Sequence, residues 1–218
     1  MSLSDNQKAL RLHKIPCSLI GAILGVDKWK TPYQAWREIM GMEETREDST
    51  FAEWGHRLEA VVAQKFFDKN GVVGTKNDET LVYENWLCGT PDYYYTLDGN
   101  KRGLEIKTTS AWNASEFGDE HTDELPLRHF LQCTGYMILT GIDSWDLAVL
   151  IGGNTYREYK ILASIDQKQK LLSRLKAWYD SYVVGNTEPP LTGADVLIKW
   201  PSESEGAVLN ADDHVVEL

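Results

Sequence analysis

Asp92 and the segment Glu105-Ile106-Lys107 could together hold a metal ion and act on a phosphate. The segment 97–100, Leu-Asp-Gly-Asn, lies between them and has the residues of a tight hairpin turn. If antiparallel strands flank this turn, the Asp92 and Glu105 carboxylates can meet across a gap the size of a hard cation. The carbonyl of Ile106 would be a third oxygen ligand, a set that suits magnesium. Lys107 could orient or deprotonate an attacking water and counter the charge of a phosphate, so the spacing predicts metal-assisted phosphodiester hydrolysis.

Strand alternation determines where these side chains point. Glu105 and Lys107 would share one face of a strand, while Leu104 and Ile106 would point into the core. A solvated, salt-bridged strand face is the alternative. Two carboxylates on adjacent strands repel each other unless one is protonated or both bind a cation, which favours the metal site.

The elements around this constellation indicate an α/β protein. Aromatic and β-branched runs separated by turn residues predict strands between residues 71 and 109, and again over 145–151 and 157–162. Capping residues and helical spacing predict helices over 31–40, 50–70, 126–140 and 164–185. In the helix over 50–70, apolar residues recur at helical spacing and should bury one face: Phe51, Trp54, Leu58, Val61, Val62 and Phe66.

Further candidates lie on these helices and on the polar segment 110–124. Glu59 lies at the edge of the apolar stripe, where its carboxylate could lean into a cleft. Gln132 and Tyr136 share a helical face at i and i+4, which an ordinary amphipathic helix could also produce. Trp112 could stack on a terminal base or pack in the core.

Five ordered blocks give the chain a resemblance to the lambda exonuclease and YqaJ group of phage recombination exonucleases, within the PD-(D/E)xK nucleases. The blocks are Ser18-Leu19-Ile20-Gly21-Ala22-Ile23-Leu24-Gly25; Lys30-Thr31-Pro32 with Trp36; Gly55-His56-Arg57-Leu58-Glu59; Gly89-Thr90-Pro91-Asp92 with Leu104-Glu105-Ile106-Lys107; and Gln132-Cys133-Thr134-Gly135-Tyr136. The resemblance implies a restriction-endonuclease-like core, in which helices flank a mixed central β-sheet.

The resemblance also implies roles for individual residues. Glu59 would join the metal ligands, and Gln132 and Tyr136 would match the Q-x-x-x-Y element that positions the nucleophile or the DNA strand. Arg11 and Ser18, seven residues apart, look like the family's pocket for a DNA 5′-phosphate, although Ser18 could instead cap a helix and Arg11 could face solvent.

The implied activity is a magnesium-dependent 5′ to 3′ exonuclease on linear double-stranded DNA that leaves 3′ overhangs for recombination. Manganese should substitute, with one or two ions per site. The expected partners are DNA with a 5′-phosphate and a single-strand annealing protein, and the expected assembly is a homotrimeric ring. An endonuclease of restriction or resolvase type and a non-catalytic DNA-end-binding module are the rival interpretations.

Charge and composition are compatible with this assignment. The net charge of −11 argues at first against a nucleic-acid partner, but residues 1–41 carry six basic and three acidic residues, whereas residues 186–218 carry seven acidic residues and one lysine. We expect one nuclease domain with an N-terminal helical segment (1–48) that holds the phosphate pocket, a catalytic core (49–185) and an acidic tail (186–218).

Location is predicted from the absence of targeting signals. No apolar run approaches the roughly 18 residues that cross a bilayer, and the N-terminus lacks the features of a signal peptide. Cys17, Cys88 and Cys133 are widely spaced and include no C-x-x-C pair, so we expect reduced thiols. We therefore expect a cytoplasmic protein without a membrane segment.

Overall fold

A computed structural model describes residues 5–42, 50–120 and 122–201. The helices are α1 (Asp5–Arg11), α2 (Ile20–Ile23), α3 (Pro32–Ile39), α4 (Thr50–Asn70), α5 (Leu127–Thr140), α6 (Ile165–Trp178) and α7 (Val196–Lys199). The strands are β1 (Ile15–Pro16), β2 (Gly74–Lys76), β3 (Leu81–Tyr83), β4 (Leu87–Gly89), β5 (Tyr93–Leu97), β6 (Asn100–Thr109), β7 (Ser144–Ile151) and β8 (Thr155–Leu162). The predicted tail falls largely outside these ranges, because residues 202–218 are not described.

The strands form two sheets. The larger has the order β2-β5-β6-β7-β8, in which β6 and β7 are parallel and the other neighbours are antiparallel. The smaller has the order β1-β4-β3, with β1 parallel to β4. Mixed sheets with helices around them confirm the predicted α/β class. In the described parts of the chain, no helix is long and apolar enough to cross a membrane.

The predicted hairpin between β5 and β6 is confirmed. Leu97 pairs with Asn100, and Asp98 and Gly99 have φ angles of 52° and 75°. Positive φ at both central positions is the requirement of a type I′ turn. The resulting register places Tyr93 opposite Leu104. The part of β6 from residue 105 to 109 therefore extends past β5 and pairs only with β7.

Helices cover both faces of the larger sheet. Leu104 and Ile106 pack with Val62 and Phe66 of α4 in one apolar cluster. The opposite face belongs to a larger cluster that includes residues of α2, α3, α5 and α6. Glu105 and Lys107 do share a face, as predicted, but Glu105 is buried there under α5.

Only part of the predicted apolar stripe of α4 is buried. Val62 and Phe66 are buried, but Phe51, Trp54 and Val61 are 81%, 57% and 63% exposed, so the expectation of a continuous buried face was wrong. The second half of the helix lies over the apolar residues of β5 and β6, whereas the first half covers none of them. The helical period is correct, but the sheet does not extend under the whole helix.

Candidate active site

The site lies at the first residue of β5, where β6 continues past its partner strand. Asp92 immediately precedes β5, and its Oδ2 accepts a 2.7 Å hydrogen bond from the backbone N–H of Ile106. The N–H and C=O of one strand residue point to the same side, so the carbonyl of Ile106 also faces this open edge. The hairpin thus places the Asp92 carboxylate at the backbone of Ile106, and the role of the Ile106 carbonyl as a metal ligand stays a prediction.

Glu105 is the most deeply buried acid of the site, with 2% of its surface exposed. Its Oε1 accepts hydrogen bonds from Lys107 Nζ at 2.7 Å and from Gln132 Nε2 at 2.6 Å. Its Oε2 is buried and has no hydrogen-bond partner. An unpaired buried acceptor costs about 1 to 3 kcal/mol, and more when it is charged. The oxygen donors at this edge therefore fit a hard divalent cation, which would satisfy the remaining Glu105 oxygen.

The electrostatics of the site favour a bound cation. Burial, and then the Glu105 carboxylate, raise the pKa of Asp92 well above its usual range. Burial lowers the pKa of Lys107, but the Glu105 and Asp92 carboxylates outweigh it and leave that pKa raised. In the metal-free site the two carboxylates thus favour the ammonium form of Lys107, which suits charge stabilisation.

Helix α5 contributes the second predicted pair. Gln132 Nε2 donates to Tyr136 Oη at 2.8 Å as well as to Glu105, so this amide connects the carboxylate to the tyrosine. Tyr136 is buried against Trp145, with 5.3 Å between ring centroids. The geometry makes Gln132 a direct partner of the acid and Tyr136 a support for Gln132.

Glu59 is not brought into the same cluster. Its carboxylate pairs with Lys76 Nζ at 3.0 Å, and α4 packs on the sheet face opposite to Glu105. It is still close enough to contribute to the raised pKa of Asp92. In the described ranges, no group of three or more His, Cys, Asp or Glu side chains is disposed to hold a metal. As a ligand, Glu59 stays a prediction that requires it to leave Lys76.

Arg11 and Ser18, the predicted phosphate pocket, are in contact. Arg11 Nη2 donates to Ser18 Oγ at 3.1 Å, and Ser18 is exposed. Pro16 of β1 pairs in parallel with Cys88 of β4. Parallel strands end at the same edge, so Ser18 after β1 and Asp92 after β4 both follow that edge. The small sheet thus places the predicted phosphate pocket and the acidic site beyond the same sheet edge.

Three contacts at the site did not follow from the sequence, although Thr90 belongs to one of the five blocks. Lys76, the partner of Glu59, comes from β2 and reaches the site because it pairs opposite Tyr93. The carbonyl of Thr90 accepts a long 3.4 Å hydrogen bond from the Tyr136 hydroxyl. His129, which is half-buried, stacks on Phe117, and burial and the Lys107 charge lower its pKa. None has a local sequence signal, because each contact depends on long-range pairing.

Comparisons with known proteins agree with the sequence resemblance. The model of the YqaJ-like viral recombinase domain matches residues 8–143. The uncharacterized protein YqaJ of Bacillus subtilis strain 168 is 31% identical over 186 residues, covering 82% of this chain and 56% of that protein. The chain therefore spans only about half the length of this curated relative.

Solved structures share the fold. The alkaline exonuclease LHK-Exo of Laribacter hongkongensis superimposes with a TM-score of 0.66 at 14% identity, over 84% of this chain and 96% of that one. A phage-related exonuclease of Haemophilus somnus 129PT gives a TM-score of 0.57 at 18% identity, over 83% and 99% of the two chains. The predicted PD-(D/E)xK-type architecture is confirmed.

Asp92→Asn should stabilise the metal-free protein near neutral pH. A carboxyl group whose pKa is raised by folding stabilises the fold while protonated, and this contribution is lost as the pH rises through its folded pKa. Removing the charge should therefore raise the free energy of unfolding at pH 7 by about 1 kcal/mol, and the gain should shrink as the pH falls toward the ordinary range of Asp. Urea unfolding in EDTA at several pH values measures this.

The exposed Asp68, which accepts a hydrogen bond from Gln64, provides the matched control. Asp68→Asn should change the free energy of unfolding by no more than about 0.5 kcal/mol at any pH. A lower free energy of unfolding for Asp92→Asn at pH 7 would show that the Asp92 charge does not destabilise the folded protein.

Proposed function

Because the chain belongs to the YqaJ-like viral recombinase family, we propose that it is a metal-dependent exonuclease that hydrolyses linear double-stranded DNA from 5′ to 3′ and leaves 3′ overhangs. The observation that carries this proposal is the buried, unpartnered Oε2 of Glu105 beside Asp92 and the Lys107 amine. A cation and a phosphate would together complete this arrangement.

The metal ligands would be the carboxylates of Asp92 and Glu105 and the carbonyl of Ile106. Glu59 would join them if it exchanges its Lys76 partner for the ion. Oxygen donors of this kind suit magnesium, with manganese as a substitute, and one or two ions per site. When bound, the ion would polarise the phosphate and lower the pKa of an attacking water.

The remaining groups of the site orient the reactants and balance charge. The Lys107 ammonium, held at 2.7 Å from Glu105, can stabilise the negative charge that grows on the phosphate. Gln132 fixes the same Glu105 oxygen and is itself fixed by Tyr136. We therefore assign Gln132 and Tyr136 to positioning, with Gln132 close enough to orient a water as well.

Arg11 and Ser18 would select the DNA end. A guanidinium and a hydroxyl that already contact each other offer charge and hydrogen bonds to a terminal 5′-phosphate. Binding of that phosphate would fix the polarity, because the strand that carries it would run from this pocket toward Asp92.

Assembly and partners are proposed from family membership alone. We expect a homotrimeric ring around DNA, a single-strand annealing protein as partner and action in the cytoplasm. An acidic outer wall, compatible with the net charge of −11, would limit unproductive binding of DNA outside the ring.

Lys107→Ala should lower magnesium-dependent hydrolysis of linear duplex DNA at least about 100-fold, because it removes a charge aimed at the reacting phosphate. The assay uses a duplex with one 5′-phosphorylated and one 5′-hydroxyl end, with and without magnesium, and records which strand shortens. Lys101→Ala, on the exposed start of the same strand, is the control and should retain activity. Unchanged hydrolysis in Lys107→Ala, or cleavage of covalently closed circular DNA by the wild type, would refute the proposal.

Arg11→Ala should reduce the preference for the 5′-phosphorylated end by about tenfold or more, because a charge-assisted hydrogen bond to phosphate is lost. Initial rates on otherwise identical 5′-phosphate and 5′-hydroxyl duplexes measure the preference. Lys8→Ala removes the same charge from the same helix and should leave the preference intact. If both variants lose it equally, general charge and not a pocket selects the end.

A further inference from the structure

Three tryptophans near the end of β6 are exposed to solvent. Trp112 is 93% exposed, Trp29 66% and Trp54 57%. Indole rings are among the most costly side chains to leave in water, so a group of them marks an interaction surface. Their common location is the end of the strand that carries Glu105 and Lys107.

Trp112 is held at that end by its own turn. A short 3-10 helix, Ala111–Glu116, follows β6 directly. Asn113 Nδ2 donates to Thr109 Oγ1 at 2.9 Å, which fixes this turn to the last residue of β6. The indole of Trp112 projects from a fixed backbone into solvent.

Trp29 is connected to the same turn through Lys28. Lys28 Nζ lies 4.5 Å from the centroid of the Trp29 ring and donates to Asn113 Oδ1 at 3.2 Å. It also forms an ion pair with Glu116. One ammonium therefore connects both segments. Its carboxylate partner, Glu116, also pairs with Arg128 at 2.7 Å.

Trp54 approaches from the other side of β6. Its neighbour Gly55 packs closely against β6. A Cβ at position 55 would lie 3.3 Å from Thr108 Oγ1. Phe51, one turn earlier on α4, is 81% exposed. The exposed first half of α4 thus adds to the same rim, which explains why its apolar residues have no partner in the core.

The chemistry of this rim suits DNA bases. Lys28 and Arg128 share the single Glu116 carboxylate, so the rim combines flat aromatic faces with a local excess of positive charge. Bases of any sequence stack on such faces. Glu105 is 2% exposed, so its carboxylate lies in a recess that a single strand can enter more readily than a duplex. Bases next to a phosphate in that recess would be unpaired where the rim lies.

We propose that Trp29, Trp54 and Trp112 form an aromatic rim that stacks on unpaired bases of the DNA end while its phosphate occupies the acidic site. This inference rests on the proposed nuclease function. It adds that the preferred ligand is an end with separated strands, recognised by its bases without sequence selection.

The test compares two hairpin duplexes that differ only in their last three nucleotides. One has three mismatched, unpaired bases, and the other has three abasic nucleotides with the same phosphates. Affinities of the full chain are measured by fluorescence anisotropy with calcium in place of magnesium, and gel analysis checks that the DNA stays intact. Trp112→Ala should weaken binding of the first DNA by about 5- to 100-fold, with losses for Trp29→Ala and Trp54→Ala as well, and Trp112→Phe should restore most of the affinity. The wild type should bind the abasic DNA less tightly than the base-bearing DNA, because only the phosphate contacts remain, and the variants should bind the abasic DNA as the wild type does.

Trp200 provides the control, because it is also exposed and also lies near a lysine, with Lys199 Nζ 5.3 Å from its ring centroid. Trp200→Ala should bind both DNAs as the wild type does. Three results would each contradict the aromatic rim. They are equal losses of affinity for both DNAs, no loss of affinity in any rim variant, and a changed oligomeric state by sedimentation without a change in affinity.

Hydrolysis of a blunt duplex with magnesium is measured for the same proteins. If the wild type hydrolyses this DNA while the rim variants bind base-bearing ends normally, the rim is wrong and the proposed function stands. If the wild type neither binds nor hydrolyses DNA, both proposals are wrong.

Discussion

Two acidic side chains held together in a recess at the edge of a sheet are the constraint on which the site depends. Asp92 is fixed by the backbone N–H of Ile106, and Glu105 by Lys107 and Gln132, yet one Glu105 oxygen stays buried without a partner. Like charges in such a place repel each other, and a single ammonium does not satisfy both. The fold therefore maintains an arrangement that is unfavourable until a cation and an anionic ligand complete it.

The architecture supplies what holds this arrangement in place. The tight turn at Asp98 and Gly99 sets the register that stops β5 beside Leu104, so that β6 continues alone into the site. Helix α5 closes the face above Glu105, while α4 closes the opposite face above Leu104 and Ile106. The recess is thus shaped by rigid, well-packed elements, while Ser18 and the Trp112 turn lie at its exposed borders.

Local patterns predicted much of the fold and part of the site. The helices capped by Thr31 and Ser164, the hairpin, and the shared face of Glu105 and Lys107 follow from short-range chemistry, and the structure confirms them. The exposure of Phe51 and Trp54 did not follow, because helical periodicity says nothing about how far the sheet extends under a helix. The Lys76 partner of Glu59 did not follow either, because it depends on strand pairing across the sheet.

The central claim is that the Asp92 and Glu105 carboxylates bind a divalent cation. Manganese can be detected directly by its anomalous scattering in a soaked crystal, independently of activity. The claim predicts one strong anomalous peak within about 2.5 Å of oxygens of both carboxylates. Crystals of Asp92→Asn would serve as the comparison and should lose most of that peak. A wild-type map without any peak between the two acids at saturating manganese would contradict the account.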